Sequence, residues 1–356
     1  TVQHVGAVQP AAHAPPAAAS RGRPGGGSVW TASPDGAPPE SRLAVALPEE
    51  EFTYIERPWS HFLTRWAAMD VEIERTLGPE ASFSLIDLGS CCGFFSLQAA
   101  VGYPQCTAVS VEGSVGIGNG TTGVDGSEDD IIETKAIQTH LRWIDKLQLQ
   151  NNMIAPEVWD YQRVSALAAL GRPIADVMIS LSVVHHIDNI SVEQYRAERL
   201  SKVEGTVRLM SKLLQLAPRH FVEMPDRPWM DHMYDAFGTA RAFLGAAASA
   251  SGRHWSFTGP LCISEWYGRR ELWLLEEVGQ ARPPFPAQGL KALFGRTLGC
   301  SQAAASVAAA DQSRHQARRP MPQPQLQQQQ QHMQQPQRQQ HQHQQLQQHQ
   351  QHQQAQ

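Results

Sequence analysis

Two short apolar runs limit the possible folds more than anything else in the chain. SFSLIDL (82–88) ends in Asp87 and Leu88, and ADVMISLSVV (175–184) is the clearest central strand. A strand this poor in polar side chains is expected to be covered on both faces, which places it inside a parallel sheet. The other elements fall into order around these two. FFSLQAAVG starts a helix closed by Gly102, and TAVSVEG (107–113) reads as a second strand that ends at Glu112. Ile137, Leu141, Ile144 and Leu147 recur at helical spacing within 131–149. A short third strand is expected at PEVWDY (156–161), before the central one. Ser191 and Gln194 have the spacing of a capping box for a helix running to Leu216. RHFVEMP (219–225) is a further strand ended by Pro225, and a helix follows near 231–248. HWSFTGPLCI (254–263) and RRELWLLEE (269–277) are joined too closely around Gly268 for a helical crossover, so they should form an antiparallel hairpin. The alternation predicts an α/β fold: a seven-stranded, mostly parallel sheet with helices on both faces and a C-terminal antiparallel hairpin.

This pattern occupies only part of the 356 residues. Residues 1–45 are rich in Ala, Pro and Gly, with no acid before Asp35, and 281–356 are dominated by Gln, His and Pro. Neither stretch carries enough large apolar side chains to offset the entropy of ordering it, so both read as disordered. The folded domain is expected at 46–280, a size that supports one substantial core. The acid-poor Ala/Ser/Arg composition of the first segment is that of an organelle transit peptide or of a plain disordered arm. A formal net charge of −5 provides no general basic field for nucleic acid. No apolar run reaches the roughly 18–20 residues of a membrane span. The five cysteines show no CxxC pairing, which fits a reducing compartment, cytoplasmic or organellar.

The turn after the first strand, DLGSCCG, is where a ligand of an open parallel sheet is expected, at the carboxyl end of a strand near the reversal of strand order. No Gly-Lys-Ser/Thr follows, so it is not a phosphate loop. The adjacent cysteines lack redox spacing, and no further metal ligands lie nearby in sequence, so no metal site is expected. A literal G-x-G-x-x-G at Gly118, Gly120 and Gly123 lies after the second strand and ahead of an acidic stretch. It reads as a glycine-rich loop, with a lid as its functional alternative.

LIDLGSCCGFFSL resembles the first motif of the class I, Rossmann-like methyltransferases that use S-adenosylmethionine. Asp87, Gly89 and Gly93 match that acid-x-Gly-x-Gly-x-Gly turn, and Cys91 stands at its middle glycine. The resemblance implies that the turn, with Ser90, passes under the methionine and ribose of the cofactor, and that both cysteines fill space. It implies that Glu112 accepts hydrogen bonds from the two ribose hydroxyls, which suits a carboxylate's two oxygens. It also implies that Asp160 touches the adenine amino group and that Ser182 lies on the cofactor side of the fourth strand. The ending SVVHHI places His185 and His186 toward the substrate, either one a candidate general base. Glu223, at the end of the fifth strand, is a further catalytic candidate.

RPWSHFLTRW (57–66) gathers two Trp, one His and two Arg on an expected helix before the sheet. It reads as a hydrophobic cap on the core or as a lid, with a Trp or Tyr54 stacking on a ring. The expected function is methyl transfer from S-adenosylmethionine to a small molecule. The alternatives are an RNA or protein methyltransferase, or an inactive binding and scaffold protein of the same fold that acts through its Gln/His tail. A nicotinamide enzyme would need its glycine fingerprint where GSCCG stands. A protein partner for the tail is expected; a membrane is not.

Overall fold

A computed structural model describes residues 28–30, 38–53, 57–113, 131–266, 268–279 and 283–299. Gly118, Gly120, Gly123, Tyr54 and the Gln/His tail lie outside the described residues. The sheet has the strands β1 (Ser28–Trp30), β2 (Phe83–Leu88), β3 (Cys106–Val111), β4 (Asn152–Ala155), β5 (Val177–Leu181), β6 (Arg219–Met224), β7 (Trp255–Glu265) and β8 (Arg269–Glu277). Their order is β1-β7-β8-β6-β5-β2-β3-β4. β4, β3, β2, β5 and β6 run parallel, while β8 pairs antiparallel with β6 and with β7. These are the seven expected strands and the expected hairpin. β1 is an eighth, a three-residue edge strand antiparallel to β7. The layering is that anticipated from the alternation, and the strand order is that of the Rossmann-like methyltransferase fold implied by the resemblance.

Side-chain alternation along β2 explains why both faces are buried. Phe83 and Leu85 join one core with the helices α1 (Trp59–Leu77), α2 (Phe94–Gly102) and α3 (Lys135–Lys146). Ile86 and Leu88 join the other, against α4 (Tyr161–Ala168), α5 (Val184–Ile190), α6 (Val192–Ala197), α7 (Lys202–Leu214), α8 (Asp231–Phe237) and α9 (Ala240–Ala250). No helix among the described residues is long and apolar enough to cross a membrane.

The boundaries depart from expectation in four places. The third strand is Asn152–Ala155, not 156–161, so Asp160 stands at the start of α4 rather than at a strand end. The central strand stops at Leu181. Ser182 turns the chain in the left-handed region (φ 54°), and His185 and His186 fall on α5. The helix expected from Ser191 to Leu216 is two helices, α6 and α7, and the capping box belongs to Ser201 and Glu204. The helix near 231–248 breaks at Gly238 into α8 and α9.

Packed structure also reaches beyond 46 and 280. Gln98 Oε1 accepts from the amides of Ala44 (2.9 Å) and Val45 (3.2 Å), and Trp66 Nε1 donates to the Arg42 carbonyl (3.0 Å). At the other end Leu298 bridges to Ile154 on the free edge of β4. These contacts draw on residues more than twenty positions away, which local composition does not register.

Candidate functional site

Strand order reverses at β2 and β5, so a crevice opens beyond their carboxyl ends. The β2–α2 turn forms its floor. Gly89 N and Ser90 N both donate to the Val111 carbonyl (2.8 and 3.3 Å), Gly93 N donates to Ser90 O (2.8 Å), and Cys91 N donates to Glu112 Oε2 (2.5 Å). The turn is thereby bolted to the end of β3. Gly89 and Gly93 hold φ of 73° and 77°. A Cβ at Gly89 would stand 2.6 Å from Val183 Cγ2, and one at Gly93 would run into the His140 ring. The protein's own neighbours therefore require both glycines, whatever ligand the turn receives. Cys91 and Cys92 are buried thiols 3.8 Å apart at sulfur, and both belong to the first core.

Two hollows flank Gly89. The first is lined by Asp87, Ser90, Cys91, Arg57, Leu181 and the rings of Phe52, Phe62, Phe94 and Phe95. The second is lined by Glu112, Glu157, Val158, Trp159, His186, Ile187 and Ile190. Asp87 Oδ2 and Ser90 Oγ are buried, with no hydrogen-bond partner among the described residues. Burial pushes the Asp87 carboxyl up to about 7, against the pull of the Ser96 amide. Burial likewise pushes Glu112 up to about 8, opposed by the Cys91 amide and assisted by the Asp87 charge.

His185 and His186 lie side by side, with ring centroids 4.0 Å apart, and His185 also meets Trp229 at 5.4 Å. Only His186 lines a hollow. Burial, with the charges of Arg270 and Arg57 adding, holds both imidazoles below the usual histidine range.

Three expected site residues have other work. Asp160 Oδ1 accepts from Arg163 N (2.7 Å) and its Oδ2 accepts from Gln194 Nε2 (2.6 Å), so the carboxylate caps α4. Glu157, Val158 and Trp159 occupy the wall expected of it, because β4 ends earlier than the sequence suggested. Ser182 donates to Glu223 Oε2 and accepts from Arg270 Nη1 (2.9 Å), and it lines neither hollow. Glu223 forms a buried ion pair with Arg65, with Nε at 2.6 Å and Nη2 also engaged. Burial raises its pKa, but Arg65, Arg270 and Arg57 outweigh that and bring it to about 2. A carboxylate held in such an ion pair draws a proton weakly.

The sequence did not mark individually Arg57, which lines the first hollow, or Arg270, which donates to Ser182. Arg57 lay within the Trp/His/Arg-rich 57–66 segment. Arg270 reaches Ser182 across 88 positions and has no local signal.

No protein-family model and no curated protein matches the chain. Solved structures resemble it at low identity. Magnesium protoporphyrin IX methyltransferase (ChlM) from Synechocystis PCC 6803, with bound SAH, is 14% identical at a TM-score of 0.37, covering 64% of this chain and 91% of that one. Precorrin-6y C5,15-methyltransferase from Geobacter metallireducens GS-15 is 8% identical at 0.35, covering 65% and 98%. TrmN from Thermus thermophilus is 12% identical at 0.34, and the chain covers 61% of its own length and about half, 49%, of TrmN. The fold assignment rests on strand order and not on these likenesses.

Proposed function

We propose that the chain is an S-adenosylmethionine-dependent methyltransferase acting on a small molecule. The observation that carries the reading is the buried Glu112 carboxylate, set at the end of β3 in a slot whose other walls include Val158, Trp159, Ile187 and Ile190. Such a slot suits a nucleoside: two carboxylate oxygens for a cis-diol, and apolar side chains for the faces of a base. Bound there, the cofactor would supply an electrophilic methyl group on a sulfonium sulfur. In the neighbouring hollow, Asp87 would accept from the cofactor's ammonium through its unpartnered Oδ2, and the Ser90 hydroxyl would donate to its carboxylate.

The chain's main contribution to rate is positioning, because little new charge develops in such a displacement. The turn bolted to Val111 and Glu112 is a rigid floor for that purpose. His185 and His186 are held below the usual histidine range by burial, and His186, which lines the second hollow, is the one placed to receive a proton.

Calorimetric titration of the full chain with S-adenosylhomocysteine, with NADH as a control, tests the reading. Micromolar binding is expected, weakened ten-fold or more in Glu112→Ala, or about 1.4 kcal/mol. A folded protein that does not bind S-adenosylhomocysteine, or binds it equally well without Glu112, would overturn it.

A further inference from the structure

The resemblance gives Cys91 and Cys92 no task beyond filling space, yet their placement suits chemistry. Both line the first hollow, and the Cys91 thiol donates to the Cys92 sulfur at 3.8 Å. Both are buried, so a reagent reaches them through that hollow, and hydrogen peroxide is close to water in size. Cys106 and Cys262 line neither hollow, and burial raises both thiols.

The surroundings give the two sulfurs different roles. The hydrogen bond from Cys91 lowers the Cys92 thiol from the usual cysteine range, burial opposes it, and the charges of Lys135 and Arg142 on α3 add to the lowering against that of Glu51. The same hydrogen bond, and then burial, push Cys91 well above that range. Cys92 is therefore the sulfur that more readily becomes a thiolate, which is the form that oxidants attack, and Cys91 is the second thiol within reach.

The backbone of the pair bears on the ribose carboxylate. Cys91 holds a left-handed conformation (φ 50°), from which its amide donates to Glu112 Oε2. That amide favours the charged form of Glu112, while burial and the charges of Asp87 and Cys92 disfavour it. A disulfide between adjacent residues closes a ring that contains the peptide bond between them. Consecutive Cα atoms lie about 3.8 Å apart, short of the roughly 4.4–6.8 Å that a disulfide normally spans. Closing the ring therefore resets the torsions at Cys91 and draws its amide away from Glu112.

We infer that Cys91 and Cys92 are a redox modification site, which a peroxide oxidises to a vicinal disulfide that releases the cofactor. The release rests on the proposed methyltransferase reading; the disulfide does not. In the first step the Cys92 thiolate attacks a peroxide oxygen, an S–O bond forms, the O–O bond breaks, and hydroxide leaves to take up a proton as water. Cys92 is then a sulfenic acid. In the second step the Cys91 sulfur attacks the Cys92 sulfur, the S–S bond forms, the S–O bond breaks, and hydroxide departs with the Cys91 proton as water. The thiols give up two electrons and the peroxide takes them. A ring so constrained is readily reduced, so a dithiol reductant restores the pair and is itself oxidised.

The reduced full chain is treated with a small molar excess of hydrogen peroxide, quenched with catalase and alkylated with iodoacetamide. A second sample is returned to dithiothreitol before alkylation. Peptide mass spectrometry should find the 91–92 segment two hydrogens lighter and unalkylated after peroxide, and alkylated at both cysteines after dithiothreitol. Titration of matching unalkylated samples with S-adenosylhomocysteine should give affinity at least about ten-fold weaker after peroxide, restored by dithiothreitol, with circular dichroism unchanged throughout. In Cys92→Ser, peroxide should leave the affinity where that variant's own reduced form has it. Absence of a 91–92 disulfide in the wild type would overturn the inference, as would a disulfide that leaves affinity unchanged. Loss of the folded circular dichroism signal on oxidation, or an equal loss of affinity in Cys92→Ser, would overturn it too. Failure of reduced wild type to bind S-adenosylhomocysteine would instead sink the methyltransferase reading, and the mass measurement would still decide the disulfide.

Discussion

Between Arg65 and Ser182, the carboxylate of Glu223 lies 1% exposed in a network that also includes Arg270. Its position at the end of β6, beside the crevice, suggested a proton acceptor from sequence. What decides otherwise is the arrival of three guanidinium charges from α1, β8 and the segment before α1. Glu223→Gln should therefore lower stability by about 3–5 kcal/mol in urea denaturation, because it leaves Arg65 buried with its charge uncompensated. A loss below about 1 kcal/mol would mean that Arg65 finds water or another partner, and the network would not be the brace described here. The glycines teach the same lesson from the other side. Their need for positive φ was legible in the motif, but the neighbours that enforce it, Val183 and His140, come from distant segments.

At the scale of elements, capping chemistry was recognised but assigned to the wrong helix. Ser191 accepts from Tyr161 N (2.9 Å), Gln194 Oε1 from Gln162 N (2.9 Å), and Asp160 from Arg163 N (2.7 Å). Together they satisfy the first three amides of α4; Asp160 does so locally, but Ser191 and Gln194 come from about thirty positions away, which local spacing cannot reveal. The capping box proper, Ser201 with Glu204, starts α7. Ser201→Ala should cost about 1 kcal/mol. Ser191→Ala should cost more, about 1–3 kcal/mol, because it orphans a buried amide. Thermal melts of both variants would check this, and equal losses would refute the assignment of Ser191 to α4. Strands were easier to read than caps, since their burial on both faces is written into their own composition, as in β2 and β5.

For the whole molecule, the buried titratable groups set opposing demands on pH. Burial lowers His61 to about 4, and His140 and His220 to about 3, from an ordinary 6.5. Below pH 6.5 the unfolded chain takes up protons that the fold refuses, so stability falls as the medium becomes acidic. Glu223, lowered to about 2, acts in the same direction below its ordinary 4.5. Asp87 and Glu112 do the reverse. Raised from 3.8 to about 7 and from 4.5 to about 8, they keep protons that the unfolded chain has released, so their contribution is lost as pH rises through those values. Above pH 6.5 these histidines no longer contribute to the slope, and stability should decline by up to about 1.4 kcal/mol per pH unit for each acid until its raised value is passed, about 7 for Asp87 and about 8 for Glu112. Glu112→Gln should flatten that decline and, between pH 4.5 and 6.5, steepen the loss of stability toward acid, because Glu112 opposes the histidines there. Urea midpoints measured from pH 6 to 8.5 would test it, and an unchanged slope in the variant would place the pH dependence elsewhere.

The sequence by itself determined the α/β class, the order of the strands apart from the place of the third, the closing hairpin, and a glycine turn at Asp87–Gly93 with Glu112 beside it. Each of these is written in residues close together along the chain: apolar runs, turn glycines, an acid at a strand end. Only the tertiary structure decided that Asp160 caps a helix, that Ser182 and Glu223 join one buried network with Arg65 and Arg270, and that Arg57 and Arg270 lie near Trp266. These roles depend on side chains brought together from distant segments, and a charge or hydroxyl acquires its pKa and its partner only when the fold supplies its surroundings.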